Sequence, residues 1–173
     1  MASQGEAVME HLEAPWRMRY INKVIGNEEP GCIMCIKPAA GDDAGNLVLY
    51  RAAHNFVMLN MFPYNGGHLM VAPLRHIARL SLLTAAERHE HLDLVAACIE
   101  VLEEVFKPAG YNTGLNLGRA AGAGVDQHLH THIVPRWTGD TNFMPVTADT
   151  KVVNEALADT YARLRPVFDN LKI

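Results

Sequence analysis

The chain has 173 residues, 49% hydrophobic and 20% charged, which is enough for one core and short for two. A formal net charge of −4 with no basic stripe argues against broad nucleic-acid binding. No apolar run approaches the roughly 18 residues a membrane-spanning helix needs. The acidic start, with Glu6, Glu10 and Glu13, is expected to carry no secretory signal. Three cysteines, an odd count, fit a reducing compartment, so a cytoplasmic protein is expected. Nine histidines are the unusual feature.

In chain order, Pro15-Trp16-Arg17-Met18-Arg19-Tyr20-Ile21 reads as a short amphipathic anchor. Residues 26–45, rich in Gly, Pro, Asp and Asn, read as irregular structure around Cys32 and Cys35. Strand patterns follow at Leu47–Tyr50, His54–Asn60 and His68–Ala72. Between the last two, Pro63-Tyr64-Asn65-Gly66-Gly67 has the chemistry of a tight reversal and predicts an antiparallel pair. Thr84-Ala85-Ala86-Glu87 is a capping box, and Leu92, Val95, Ile99, Leu102 and Phe106 behind it recur at helical steps. Pro108 and Gly110 end that helix, and His89 and His91, among glutamates, read as a solvated face. Cys98 reads as plain core.

A further strand, Tyr111–Leu117, leads into the glycine-rich loop Gly118–Gly124, and His128–Val134 resumes strand character before Pro135. Val152–Leu171 reads as a last helix that Pro166 kinks or divides. The chain is therefore expected to be one α+β domain over residues 1–173. Its antiparallel sheet is packed by one long helix and a C-terminal helix.

The decisive stretch is Gln127-His128-Leu129-His130-Thr131-His132-Ile133-Val134. With side chains alternating along a strand, His128, His130 and His132 share one face. Three imidazoles in a row make a poor core, because each polar nitrogen needs a partner. Two chemistries remain: a metal site, or covalent catalysis in which one imidazole attacks phosphorus. The glycine-rich loop just upstream, the nearby Arg119 and Arg136, and the lack of Asp or Glu in the triplet favour the second. Cys32-Ile33-Met34-Cys35 has zinc-ligand spacing, yet alone it supplies two of four ligands and equally suits a redox or incidental pair.

His128-Leu129-His130-Thr131-His132-Ile133-Val134, followed by Pro135-Arg136, resembles the histidine triad family, whose motif is His-φ-His-φ-His-φ-φ with φ apolar. Thr131 departs mildly from it. Gly67-His68-Leu69-Met70-Val71-Ala72-Pro73-Leu74-Arg75-His76 is similar to the family's second signature. The lead-in Ala14–Ile21 and the tail Pro135–Met144 look like its dinucleoside tetraphosphate phosphorylase branch, related to the fragile histidine triad branch.

The resemblance implies a histidine triad fold, with residues 1–30 and 138–173 as extensions, and a homodimer. It implies that His130 attacks the α-phosphorus of a nucleotide and forms a nucleotidyl-histidine intermediate. His132 would donate a hydrogen bond to a phosphate or leaving-group oxygen. Asn60 would contact ribose, and Asn116 with Gly122 to Gly124 would bind phosphate. Cys32, Cys35, His76 and His128 would complete a structural zinc site.

Many relatives carry Ser or Thr where this chain has Val125, which favours good leaving groups such as nucleoside polyphosphates. The expected activity is cleavage of dinucleoside polyphosphates by phosphorolysis or hydrolysis. Alternatives are a nucleoside phosphoramidase, a nucleotide-binding regulatory protein, and a hydrolase with zinc on all three triad histidines.

Overall fold

The sheet is built from two hairpins and one late insertion. A computed structural model describes residues 31–140 and 155–172. Strands β1 (Val48–Arg51), β2 (Asn55–Leu59), β3 (Leu69–Pro73), β4 (Gly110–Leu115) and β5 (Thr131–Arg136) form one antiparallel sheet in the order β1-β2-β3-β5-β4. The predicted reversal at Pro63–Gly67 joins β2 to β3, and Asn60 N–H donates to the His68 carbonyl at 2.9 Å to close it. Gly67 is required here. Its φ is +73°, and a Cβ would sit 3.2 Å from Leu102 Cδ2.

Around the sheet lie α1 (Ile33–Ala39), α2 (Asp43–Asn46), α3 (Ala85–Phe106) and α4 (Leu157–Asp169). Thr84 caps α3 through both bonds of the expected box, with its hydroxyl accepting from Glu87 N–H and the Glu87 carboxylate accepting from Thr84 N–H. Helices α3 and α4 bury the face carrying Leu49, Val57, Leu59, Leu69, Val71 and Ile133. The opposite face holds Val48, Phe56, Met58, Met70 and Ala72, with Met34 of α1 and Val125 packed against it. His132 pairs in register with Met70, so it belongs to this second face.

Four expectations need correction. The stretch predicted as irregular contains α1 and α2: Cys32 starts α1 by accepting from Cys35 N–H and Ile36 N–H at 2.9 and 3.0 Å, and the Asp42 carboxylate caps α2 through Gly45 N–H. The helix stripe is out of phase at its start, since Leu92 is 69% exposed and the buried positions are His91, Leu94, Cys98, Val101 and Leu102. The ladder of β5 begins at Thr131, so His128 and His130 precede it. Helix α4 runs through Pro166 undivided. The anchor at residues 15–21, the tail beyond Asp140 as far as Met144, and the helix start at Val152 lie outside the described residues.

Candidate functional site

The chain turns the three triad imidazoles to different tasks, and each carbonyl or amide that meets them fixes a tautomer. His130 is 6% exposed, and its Nδ1 lies 2.8 Å from the His128 carbonyl. A carbonyl only accepts, so the proton is on Nδ1 and the Nε2 lone pair is free. Among the described residues no protein group bonds that nitrogen. Burial pulls the His130 pKa below its ordinary value, with the His128 carbonyl partly opposing, so the neutral nucleophilic form prevails at neutral pH.

His132 is set by a relay. Tyr64 N–H donates to His68 Nδ1 at 3.0 Å, which puts the proton of neutral His68 on Nε2, and that atom lies 3.0 Å from His132 Nδ1. His132 therefore carries its own proton on Nε2. The Asn116 amide is 3.4 Å from that atom, and the His130 and His132 rings meet edge-on with centroids 4.9 Å apart. The Tyr64 ring lies against both His68 and His132, with centroids at 4.7 and 5.7 Å. Asn60, placed by resemblance at the ribose, sits with its amide 3.4 Å from His68 Nδ1. Gly122 and Gly124 belong to the loop that links Asn116 to His128, where Gly122 at φ +82° ends a single turn, Arg119–Ala121.

His128 has a different set of partners. Its Nε2 donates to the Pro73 carbonyl at 2.8 Å, so its Nδ1 lone pair points at Cys32 Sγ and Cys35 Sγ, 3.4 and 3.5 Å away. His76 Nδ1 is 3.4 Å from Cys35 Sγ, and all four ligand atoms lie within 4.8 Å of one another. For a tetrahedral zinc, bond lengths of about 2.3 Å to sulfur and 2.0 Å to nitrogen place adjacent S and N ligands roughly 3.5 Å apart. The four residues therefore fit a two-Cys, two-His zinc site, and the Pro73 carbonyl fixes the ligand tautomer from behind. Burial, and then the neighbouring Cys32, raise the Cys35 thiol, a cost that a bound cation relieves. His128 has both ring nitrogens engaged, Nε2 on the Pro73 carbonyl and Nδ1 at the two thiols, which leaves it no nitrogen for a metal shared with His130 and His132.

Sequence reasoning gave no role to three residues that are bonded into the triad stretch. His68 has a defined place in the relay. Thr131, the departure at an apolar motif position, donates to His91 Nε2 across 2.7 Å. His91 is buried at 6% exposure, not solvated, and its Nδ1 meets Asn55 Oδ1 at 3.0 Å. The advance signals were the hydroxyl at Thr131 and the place of His68 in the second signature. The loop residue Arg119 pairs with Asp126, and Arg136 with Asp140, whose carboxylate also receives Asn65 Nδ2.

An open antiparallel sheet with histidines at the head of an interior strand is the arrangement of a recognised class. The chain belongs to the HIT domain family, whose model matches residues 43–139. It is 37% identical over 158 residues to an AP-4-A phosphorylase of Mycobacterium tuberculosis, spanning 88% of this chain and 80% of that one. It is 35% identical over 96 residues to an asymmetrical bis(5'-nucleosyl)-tetraphosphatase of Schizosaccharomyces pombe, spanning 56% and 52% of the two chains. In fold it is similar to a zinc-bound histidine triad family protein of Mycobacterium smegmatis, with a TM-score of 0.64 at 20% identity, covering 81% of this chain and 94% of that one.

Proposed function

We propose that the protein cleaves dinucleoside polyphosphates through a covalent intermediate on His130. The observation that carries this is the buried His130, whose Nδ1 is held by a main-chain carbonyl while Nε2 remains free to attack. In the first step Nε2 bonds to the α-phosphorus of the bound substrate, and the bond from that phosphorus to the bridging oxygen of the departing nucleotide breaks. The His128 carbonyl receives the Nδ1–H of the cationic imidazole so formed. His132, donating from Nε2, stabilises the charge on the phosphate or leaving oxygen.

In the second step phosphate or water attacks the same phosphorus and frees His130, giving a nucleoside diphosphate or monophosphate. The names of the two sequence relatives support this substrate class. Val125, packed against the core cluster, offers no hydroxyl to a leaving group, which favours polyphosphates over phosphoramidates.

Zinc bound by Cys32, Cys35, His76 and His128 would supply rigidity, tying the start of α1 to the residue whose carbonyl orients the nucleophile. Diadenosine tetraphosphate incubated with and without phosphate tests the function. ADP and ATP formed only with phosphate identify a phosphorylase, and AMP and ATP identify a hydrolase. His130→Gly should lower turnover by roughly 10³-fold or more while nucleotide binding persists. Undiminished turnover in that variant would refute the covalent route.

A further inference from the structure

Behind the triad, on the α3 face of the sheet, runs a line of buried polar groups that the two chemical steps do not touch. The Glu90 carboxylate accepts from the Ala53 and His54 N–H groups at 2.9 and 2.7 Å and from Asn55 Nδ2 at 2.9 Å. Because a carboxylate only accepts, the Asn55 amide nitrogen faces Glu90 and its oxygen faces His91. His91 therefore donates from Nδ1 to Asn55 Oδ1 and accepts the Thr131 hydroxyl at Nε2. Asn55, His91 and Thr131 are all buried. Burial favours the neutral His91 that this arrangement requires.

Such a line is costly to build, since each buried polar group must be satisfied. An apolar contact would hold a strand on a helix at less cost. A directional bond adds a set distance and angle at one point of the strand, whereas dispersion tolerates sliding by several tenths of an ångström. That point is Thr131, with His130 before it and His132 after it. Movement at Thr131 therefore displaces both histidines together.

We propose that the His91–Thr131 hydrogen bond, anchored through Asn55 on Glu90, is a positioning device that sets His130 and His132 for in-line attack on phosphorus. His91 and Thr131 are positioning residues. Neither touches substrate, and the assignment rests on the covalent reading of His130 given above. The bond crosses from the second turn of α3 to the residue between the two histidines, so it fixes the depth of β5 against the helix.

The test uses the full chain with its metal. Thr131→Val keeps the shape and removes the hydroxyl. Its kcat for diadenosine tetraphosphate should fall about tenfold or more with KM nearly unchanged, the signature of lost alignment. Thr131→Ser should recover most of the rate. Adding His91→Leu to Thr131→Val removes both partners of this bond but also takes the donor from Asn55 Oδ1, so the double variant should melt below Thr131→Val and should not regain kcat.

A purely structural bond predicts the opposite, with kcat per folded molecule at the wild-type level in both the Val and the double variant. That result would overturn the proposal. The ring N–H resonances of His130 and His132 read the same geometry without substrate. They should move in Thr131→Val and return in Thr131→Ser, and unmoved resonances would also overturn it. If wild type cleaves no dinucleoside polyphosphate while these resonances move, the functional reading fails and the positioning role stands.

Discussion

At the scale of single residues, the site works by committing one nitrogen of each imidazole so that the other has a single role. His130 is left with a lone pair at Nε2, His132 with a donor at Nε2 and His128 with a lone pair aimed at two thiols, and the difference comes from a carbonyl, a ring and a carbonyl, respectively. The period-two pattern placed these three side chains together, but the pattern is blind to which nitrogen is engaged. It was equally blind to His91. A histidine among glutamates on a helix has the same local sequence whether it faces water or a buried threonine, and only the packing of α3 on β5 decides. Gly67 is a different kind of single-residue requirement. Gly67→Ala meets both a left-handed φ and the Leu102 side chain, and should cost about 2 kcal/mol of stability by urea denaturation. A change below a few tenths would show that the turn can relax.

At the scale of elements, the first turns of α3 hold two separate parts of the site. His91 reaches β5, and Glu87, one turn earlier, receives Arg75 Nε and Nη2 at 2.9 Å each. Arg75 lies between Pro73, whose carbonyl holds His128, and His76 of the Cys/His cluster. The bonds from Arg75 and the Thr84 N–H pull the Glu87 pKa to about 2, below an ordinary value of 4.5. A depressed carboxylate contributes stability that is complete above the unfolded value and lost as pH falls toward the folded one. Urea midpoints taken from pH 4.5 down to about 2 should therefore fall more steeply for wild type than for Glu87→Gln. Parallel slopes would show that this clamp does not stabilise the fold. The capping box made the start of α3 legible in advance. Its phase was not, because Leu92 satisfies helical spacing yet points to solvent while His91 and Leu94 face the sheet.

At the scale of the whole molecule, the Cys/His cluster and the triad meet at one residue. Cys32 and Cys35 lie at the start of α1, His76 follows β3 and His128 precedes β5, so bound zinc would fasten three distant stretches of chain. Chelation at neutral pH should lower the melting midpoint by roughly 10 °C, and Cys32→Ser should show the lower midpoint with no further response to chelator. A midpoint indifferent to chelator in a zinc-loaded sample would refute the clamp. The resemblance grouped these four residues in advance, because sequence spacing alone brings only two of them near each other. No helix among the described residues is long and apolar enough to cross a membrane.

The strand order β1-β2-β3-β5-β4 carries a consequence for synthesis and assembly. The strand that leads out of the triad is the last of the described strands to be made, yet it lies inside the sheet. Until it arrives, β3 and β4 each present an unpaired edge, and the gap between them must be kept open. Closure of the sheet and arrival of His130 and His132 are thus one event. A nascent chain that stops before His128 has the other four described strands in hand and none of the three triad histidines.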